Sequence, residues 1–217
     1  MRIALIHAMF ESVRPIHDAF EKIFPEAPLL DLLDGSLPGD SVQLGEDYRR
    51  TLDQRFLSLA AYAIEANATA ILFTCSAFGR QIAGVKTRYP GLVVCTPNEA
   101  MIREAERYER IGLVATFAPT LKSMAEEFPD PHRLTPIYVG SALQALRADE
   151  AAKHDRLVAE AVAPFAEQVD CFALAQFSLA RAARIIEDTT GCPVLTTPQS
   201  AVRDIRNRLA QRDTAGA

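Results

Sequence analysis

The sequence lacks the short glycine-rich and serine-containing motifs that mark several large enzyme classes. No GxGxxG or GxxxxGK[ST] pattern is present, so the sequence gives no support for a dinucleotide or nucleoside triphosphate site. A GxSxG nucleophile elbow is also absent. If the protein is an enzyme, these absences favour a chemistry that needs no cofactor.

Long apolar runs and long runs of one charge are absent as well. No apolar stretch approaches the ~20 residues that a helix needs to cross a bilayer. The N-terminus begins with an apolar run that is too short for a signal peptide and is typical of a strand. The net charge is −5 and no basic stripe is present, which argues against a nucleic-acid partner. We therefore expect a cytoplasmic protein that binds neither membranes nor nucleic acid.

The cysteines lack the spacing of a metal site. No CxxC pair occurs, so neither zinc nor another metal is expected. Without a secretory signal, an even number of cysteines does not indicate disulfides. Three of them, Cys95, Cys171 and Cys192, lie in apolar, strand-like runs, where cysteine usually serves as a small hydrophobe. Cys75 differs because it lies where a strand is predicted to end and a helix to begin.

The sequence contains an internal repeat. The segment TCSAFGR at 74–80 matches AQFSLAR at 175–181, and the same offset of 101 relates TPNEA at 96–100 to TPQSA at 197–201. A third pair, RIALI at the N-terminus and RIGLV a little over a hundred residues later, keeps the same order. These matches predict a duplicated α/β unit. In that duplication, Cys75 corresponds to Gln176.

Short apolar runs alternate with segments of helical periodicity along the whole chain. The predicted strands are 2–7, 28–33, 69–74, 91–95, 110–115, 135–139, 170–175 and 193–196. The predicted helices are 13–23, 46–66, 77–88, 98–107, 119–127, 150–167, 178–188 and 199–211. Strand–helix alternation favours parallel sheets with right-handed crossovers. The predicted loop at 34–45 is long enough to cover a site.

We therefore predict an α/β fold of two lobes, each a small parallel sheet flanked by helices. The first lobe would span 1–98 and the second 99–198. The last segment, 199–217, would pack back on the first lobe. A chain of 217 residues has the length of two small domains of about 100 residues each.

Chemistry is expected at the carboxyl ends of the strands. Parallel α/β sheets bind ligands there, and the N–H groups and dipoles of the following helices favour anions such as carboxylates. Cys75 is the strongest candidate, because a helix N-terminus favours its thiolate, which is both nucleophile and base. A buried cysteine that packs under the loop is an equal alternative. Ser76 is either a ligand-binding hydroxyl or a helix cap, and the cap is the simpler role.

Other strand ends supply weaker candidates. Thr116 follows the strand at 110–115, and Thr120 lies one helical turn later on the same face, so the two hydroxyls either bind a ligand or cap a helix. His7 ends the first strand and could titrate near neutral pH, although an incidental polar residue is the simpler interpretation. We interpret the remaining histidines as surface residues: His17, His132 and His154. Four aromatic residues could line a site or belong to the core: Tyr48, Phe78, Phe117 and Phe177.

The segments ILFTCSAFG and IGLVATFAPT resemble the aspartate/glutamate racemase superfamily. That superfamily also contains hydantoin racemases, maleate isomerases and arylmalonate decarboxylases. The resemblance implies two Rossmann-like lobes related by a pseudo-twofold axis, a substrate site in the cleft between them, and a possible homodimer. It also implies that Cys75 is the first-lobe thiol. The residues that it implies as substrate-binding are His7, Ser76, Ala77, Thr116, Thr120, Gln176, Phe177 and Ser178.

The second-lobe thiol of the family is missing. Gln176 stands at its position, and glutamine has no titratable proton. Cys171 is no substitute, since five strand residues place it roughly 16 Å away. Three functions therefore remain open. The first is a cofactor-independent racemase or isomerase that acts on a small carboxylic or amino acid through Cys75. The others are a lyase similar to arylmalonate decarboxylase and a non-catalytic protein that binds small carboxylates.

Overall fold

The computed structural model describes residues 1–40, 46–75, 78–96 and 98–215. Its strands are β1 (Ile3–His7), β2 (Leu29–Leu33), β3 (Ala70–Phe73), β4 (Val93–Cys95), β5 (Ile111–Ala115), β6 (Leu134–Tyr138), β7 (Cys171–Leu174) and β8 (Val194–Thr196). Its helices are α1 (Val13–Ile23), α2 (Leu37–Asp40), α3 (Glu46–Glu65), α4 (Gly79–Arg88), α5 (Glu99–Ala105), α6 (Ala118–Glu127), α7 (Gly140–Arg147), α8 (Ala151–Val162), α9 (Ala183–Thr190) and α10 (Thr197–Ala215). Short 3₁₀ segments lie at Phe10–Ser12, Pro131–Arg133, Ala163–Phe165 and Phe177–Ala182.

The strands form two parallel four-stranded sheets of the same topology. The first has the order β2-β1-β3-β4 and the second β6-β5-β7-β8, and every strand pair is parallel. The chain divides into two compact units, Met1–Pro97 with Ala201–Ala217, and Asn98–Ser200. We call them unit 1 and unit 2. The predicted α/β fold with a duplicated sheet is confirmed.

Apolar composition explains which strands lie inside each sheet. All four residues of β3 are buried, as are all five of β5, and continuous apolar runs of this kind are typical of parallel strands covered on both faces. Two of the edge strands, β2 and β6, are more polar. β2 carries Asp31, and β6 carries Pro136, whose missing N–H group is tolerated at a sheet edge.

Helix α3 covers much of the core of unit 1. Its buried residues Leu52, Phe56 and Ala60 lie on one face, as the helical spacing of the sequence predicts. The Phe56 ring stacks on Phe73 of β3 with 5.3 Å between centroids and lies 5.0 Å from the ring of Phe78. Phe78 is therefore a core residue. Tyr48, predicted on the same helix, has a side chain outside the described part of the structure.

The inner strand pairs correspond between the two units, but their packing differs. In unit 1, Ala4 of β1 pairs with Ile71 of β3; at the matching place in unit 2, Gly112 of β5 pairs with Phe172 of β7. A Cβ atom on Gly112 would lie 2.6 Å from Cδ1 of the Phe172 ring. Glycine at 112 therefore makes room for the larger side chain of unit 2.

The structure corrects several sequence-based boundaries. Helix α7 was not predicted; it is a short helix of eight residues between β6 and α8. The predicted helix at 178–188 begins as a 3₁₀ segment, in which the Leu179 N–H donates to the Gln176 carbonyl. The predicted loop at 34–45 contains α2, and its residues 41–45 lie outside the described ranges. Cys192 precedes β8 rather than lying in a strand.

No helix in the described part of the chain is long and apolar enough to span a bilayer.

Candidate functional site

Cys75 lies just beyond the carboxyl end of β3 in unit 1. Its side chain is partly exposed, and the residue before it, Thr74, is bound into the sheet through its N–H, which donates to the Ile6 carbonyl at 3.0 Å. Because Ile6 pairs with Phe73, Cys75 corresponds in register to Ala8, the residue that follows β1. Helix α4 begins at Gly79, two residues later than predicted. Ser76 and Ala77 lie outside the described residues.

The other three cysteines occupy different environments. Cys171 is the first residue of β7, at the end of the strand opposite to Gln176, and burial raises the pKa of its thiol to about 12. Cys95 ends β4 and is buried, with its Sγ atom 3.8 Å from a carboxylate oxygen of Asp204. Cys192 is partly exposed in the loop before β8. Cys75 is therefore the one partly exposed thiol at the carboxyl end of a strand.

His7 is the buried centre of a polar cluster in unit 1. Its side chain is fully buried, and its Nδ1 atom lies 3.0 Å from Ser12 Oγ and 2.9 Å from Thr74 Oγ1. The two hydroxyl oxygens are themselves 2.9 Å apart. The Nε2 atom lies 3.1 Å from Asp31 Oδ1, which His17 also contacts through Nε2 at 2.9 Å. We call these five residues the His7 cluster.

Burial determines the charge of the His7 ring, and its hydrogen-bond partners determine which nitrogen carries the proton. Burial lowers the pKa of His7 below its usual value, against the opposing hydrogen bond and charge of Asp31, so the ring is neutral at pH 7. The Asp31 carboxylate can only accept, which places the single proton on Nε2. Nδ1 is then an acceptor for the Thr74 hydroxyl, while the Ser12 hydroxyl donates to the Met9 carbonyl at 2.7 Å. The cluster thus holds Thr74, the residue that precedes Cys75.

Thr116 and Gln176 meet in unit 2. Each lies two residues beyond the paired residues Val114 of β5 and Leu174 of β7. The backbone N–H of Thr116 donates to Gln176 Oε1 at 2.6 Å, and the Thr116 hydroxyl donates to the same oxygen at 2.9 Å. Thr116 is buried and Gln176 is partly exposed. The structure therefore brings together two of the residues predicted to bind substrate.

The remaining predicted site residues of unit 2 are mostly buried. Thr120 is the third residue of α6 and is 8% exposed, while Phe177 and Ser178 begin the 3₁₀ segment after β7 and are 4% and 9% exposed. Phe117 is the exception, with 48% of its surface exposed. Their roles in substrate binding stay predictions, as does that of His7.

One prediction about the histidines is wrong. His154 was placed at the surface, but its side chain is fully buried in α8. Its Nδ1 atom lies 2.8 Å from Asp155 Oδ1, which also accepts from Arg181 Nε at 2.8 Å. His154 has the position in the helix of an inward-facing residue, since Val158 follows it four residues later on the same face. His17 is partly exposed and His132 exposed.

The His7 cluster was only partly visible in the sequence. Asp31 stands alone in the apolar strand LLDLL, but it is exposed on an edge strand, so the sequence did not indicate its contact with His7. Thr74 becomes a neighbour of His7 only once the pairing of Ile6 with Phe73 is known. Ser12 gave no signal of its own, because its contact depends on the 3₁₀ turn at Phe10–Ser12.

The described residues contain no cluster of three or more histidine, cysteine, aspartate or glutamate side chains that could hold a metal ion.

Comparison with solved structures identifies the fold. Glutamate racemase from Francisella tularensis, solved in complex with D-glutamate, is 12% identical with a TM-score of 0.72, covering 98% of this chain and 82% of its own. Allantoin racemase from Klebsiella pneumoniae is 15% identical with a TM-score of 0.70, covering 97% and 88%. The Gly74Cys mutant of arylmalonate decarboxylase is 16% identical with a TM-score of 0.65, covering 94% and 91%.

No protein-family model and no curated protein sequence matches this chain. The structural likeness extends over nearly the whole chain, whereas the sequence identities are low. The fold that the segments around Cys75 and Thr116 predict is confirmed: this chain has the fold of glutamate racemase, allantoin racemase and arylmalonate decarboxylase.

Proposed function

We propose that this protein is a cofactor-independent enzyme of the racemase and isomerase type, which acts on a small carboxylic or amino acid through Cys75. The position of Cys75 carries the proposal. It is a partly exposed thiol beyond the carboxyl end of β3, where parallel α/β sheets bind their ligands. The likeness of the fold to glutamate and allantoin racemases supports the reaction class.

The reaction has to proceed with one thiol. Gln176 stands at the position in unit 2 that corresponds to Cys75, and an amide neither takes up nor releases a proton at neutral pH. Cys171 cannot replace it, because its thiol is buried at the other end of β7 with a pKa of about 12. The two-thiol route, in which one cysteine removes the α-proton and another returns one from the far side, is therefore not the mechanism that we propose.

A cis–trans isomerisation needs only one nucleophile. The Cys75 thiolate would add to one carbon of a carbon–carbon double bond, which forms a C–S bond and leaves the electron pair on the adjacent carbon, stabilised by a carboxylate. Rotation about the new single bond follows. Expulsion of the thiolate breaks the C–S bond and restores the double bond in the other geometry. No proton or electron is gained or lost in the cycle.

A decarboxylase is the second candidate, and the absence of a titratable group at Gln176 favours it. A malonate-type acid would lose carbon dioxide and leave an enediolate, to which the Cys75 thiol delivers one proton on one face. The fold is also that of arylmalonate decarboxylase. A racemase would in contrast need a second proton carrier. The third possibility, a non-catalytic binder of small carboxylates, is an outcome of the experiment below.

The test is turnover of a panel of acids in D₂O, followed by proton NMR. Glutamate, aspartate and allantoin report α-proton exchange, maleate reports isomerisation to fumarate, and phenylmalonate reports loss of carbon dioxide. We expect turnover of at least one acid, with a loss of at least about 10³-fold in the Cys75→Ala variant, the scale seen when a nucleophile is removed. Cys192→Ala is the matched control, because Cys192 is the other partly exposed thiol.

Two results would contradict the proposal. Turnover that survives in Cys75→Ala would show that another group performs the chemistry. Binding of these acids without any turnover, unchanged in Cys75→Ala, would show that the protein is a carboxylate binder. Loss of turnover in both Cys75→Ala and Cys192→Ala would point to a general effect of removing a thiol and would not identify Cys75 as the nucleophile.

A further inference from the structure

The side chain of Gln176 is held in one orientation by Thr116. Two donors of Thr116, the backbone N–H and the hydroxyl, both reach the same atom of the glutamine, at 2.6 and 2.9 Å. A backbone N–H can only donate, so the oxygen of the carboxamide and not its nitrogen has to face Thr116. Two hydrogen bonds to one atom fix both the position and the plane of the amide group.

The opposite end of this amide points away from Thr116. The Nε2 atom carries two N–H groups, and no protein group in the described ranges bonds to it. The residue is partly exposed, whereas Thr116 beneath it is 1% exposed. The donors of Thr116 are therefore occupied from within the protein, whereas the two N–H groups on Nε2 of Gln176 can bind a ligand at this strand end.

We propose that Gln176 is a fixed hydrogen-bond donor that binds a carboxylate oxygen of the ligand through Nε2. This inference rests on the proposed function, since it assumes a small carboxylate as the ligand. Accepting two hydrogen bonds at Oε1 polarises the amide and strengthens its N–H groups as donors, because hydrogen bonds in a chain reinforce one another. Gln176 therefore recognises an acceptor, and it rejects a ligand that presents an N–H group at that place.

The chemical role of such a donor differs from that of a thiol. When a proton or carbon dioxide leaves the carbon next to a carboxylate, negative charge spreads onto the carboxylate oxygens. A donor that is already oriented stabilises that charge without reorganisation. Gln176 transfers no proton in this step. The position in unit 2 that corresponds to Cys75 thus carries a hydrogen-bond donor in place of a thiol.

The test compares three variants of the full-length chain with malonate, succinate and glutamate as probes. Gln176→Glu retains an oxygen for both Thr116 donors but replaces the NH₂ group by a negatively charged acceptor. Gln176→Met removes the donors without adding charge. Gln144→Glu is the matched control, because it makes the same chemical change at an exposed position of α7. Affinities come from calorimetry, and ¹⁵N spectra follow the side-chain amide signal that disappears in Gln176→Glu.

We expect at least one probe to bind the natural protein and to shift the Gln176 amide signal. Gln176→Glu and Gln176→Met should then bind that probe at least tenfold more weakly, and Gln144→Glu should bind it within twofold of the natural protein. Unchanged affinity in Gln176→Glu would overturn the inference while leaving carboxylate binding intact. Tighter binding in Gln176→Met would also overturn it, since it would show that Gln176 blocks the Thr116 donors. Failure of all three probes to bind would overturn this inference, whereas the proposed function is decided separately by turnover of the acid panel in D₂O.

Discussion

The carboxyl ends of the two sheets have the same strand pairing, but their polar side chains lie at different distances from the last paired residues. In unit 1, His7 and Thr74 lie one residue beyond the paired residues Ile6 and Phe73, and Ala8 and Cys75 lie two residues beyond them. In unit 2, Ala115 and Ala175 lie one residue beyond the paired residues Val114 and Leu174, and Thr116 and Gln176 lie two residues beyond them. In unit 1 the thiol of Cys75 thus follows a polar pair, and in unit 2 the amide of Gln176 follows a pair of alanines.

This difference separates two tasks. In unit 1, the buried His7 binds buried hydroxyls on one side and the more exposed Asp31 on the other. In unit 2, both Thr116 donors bind Oε1 of Gln176, and the role that we propose for Nε2 of Gln176 is to bind a ligand. A duplicated fold therefore does not require duplicated chemistry. The two strand ends differ at all four of these equivalent positions, so the repeat has kept the backbone and changed the side chains.

The largest effect that tests this comparison is expected from His7→Ala. The substitution leaves a cavity and removes the acceptor of the Thr74 hydroxyl, so we expect the free energy of unfolding to fall by about 2–4 kcal/mol. Urea unfolding followed by circular dichroism measures it. His17→Ala is the control, because His17 contacts the same Asp31 oxygen from a partly exposed position, and it should cost less than about 1 kcal/mol. Equal losses in the two variants would show that burial of His7 is not what matters.

The pH dependence of stability should come from the same residue. Because the pKa of His7 is lower in the folded protein than in the unfolded chain, the unfolded chain binds more protons between the two values. The contribution of His7 to the free energy of unfolding is therefore fully present above its pKa in the unfolded chain, about 6.5. It is lost as the pH falls from there through the pKa of His7 in the folded protein. The slope reaches at most about 1.4 kcal/mol per pH unit.

The measurement is urea unfolding of the natural protein and of His7→Gln between pH 7.5 and 5. We expect the natural protein to lose more stability than the variant as the pH falls, because glutamine does not titrate. If the free energies of unfolding of the two proteins fell in parallel with pH, protonation of His7 would not contribute to the pH dependence of stability.

A smaller effect is expected from Gln176→Ala in unit 2. It removes the acceptor of two Thr116 hydrogen bonds, but water can reach a partly exposed position and replace it. We expect a loss of about 1–2 kcal/mol by urea unfolding, and a smaller loss for Thr116→Val, which removes only the hydroxyl. A loss as large as that in His7→Ala would show that the pair is part of the core of unit 2, and the comparison between the two strand ends would then fail.

The sequence predicts the fold better than it predicts the site. Every predicted strand is present, because continuous apolar runs such as that of β3 report burial directly. The exchange of Cys75 for Gln176 at equivalent positions also follows from the repeat alone. Helix α7, with eight residues, was missed, and His154 was misplaced although Val158, four residues later in the sequence, marks the same face of α8 as buried.

The contacts that define the two strand ends required the structure. Thr74 meets His7, and Thr116 meets Gln176, only through the register of neighbouring strands. Register depends on packing over a whole sheet and is not written in any one segment. The sequence identified Thr116 and Gln176 as candidates at separate strand ends, but it gave no sign that one occupies the donors of the other.

Alkylation of the natural protein by iodoacetamide at neutral pH, followed over time by mass spectrometry of its peptides, tests the central claim most directly. The claim is that the reactive thiol of the molecule is at the carboxyl end of β3. We predict that Cys75 is alkylated first and that Cys171, whose buried thiol has a pKa of about 12, is alkylated last. Faster alkylation of Cys171 or Cys192 than of Cys75 would contradict the claim.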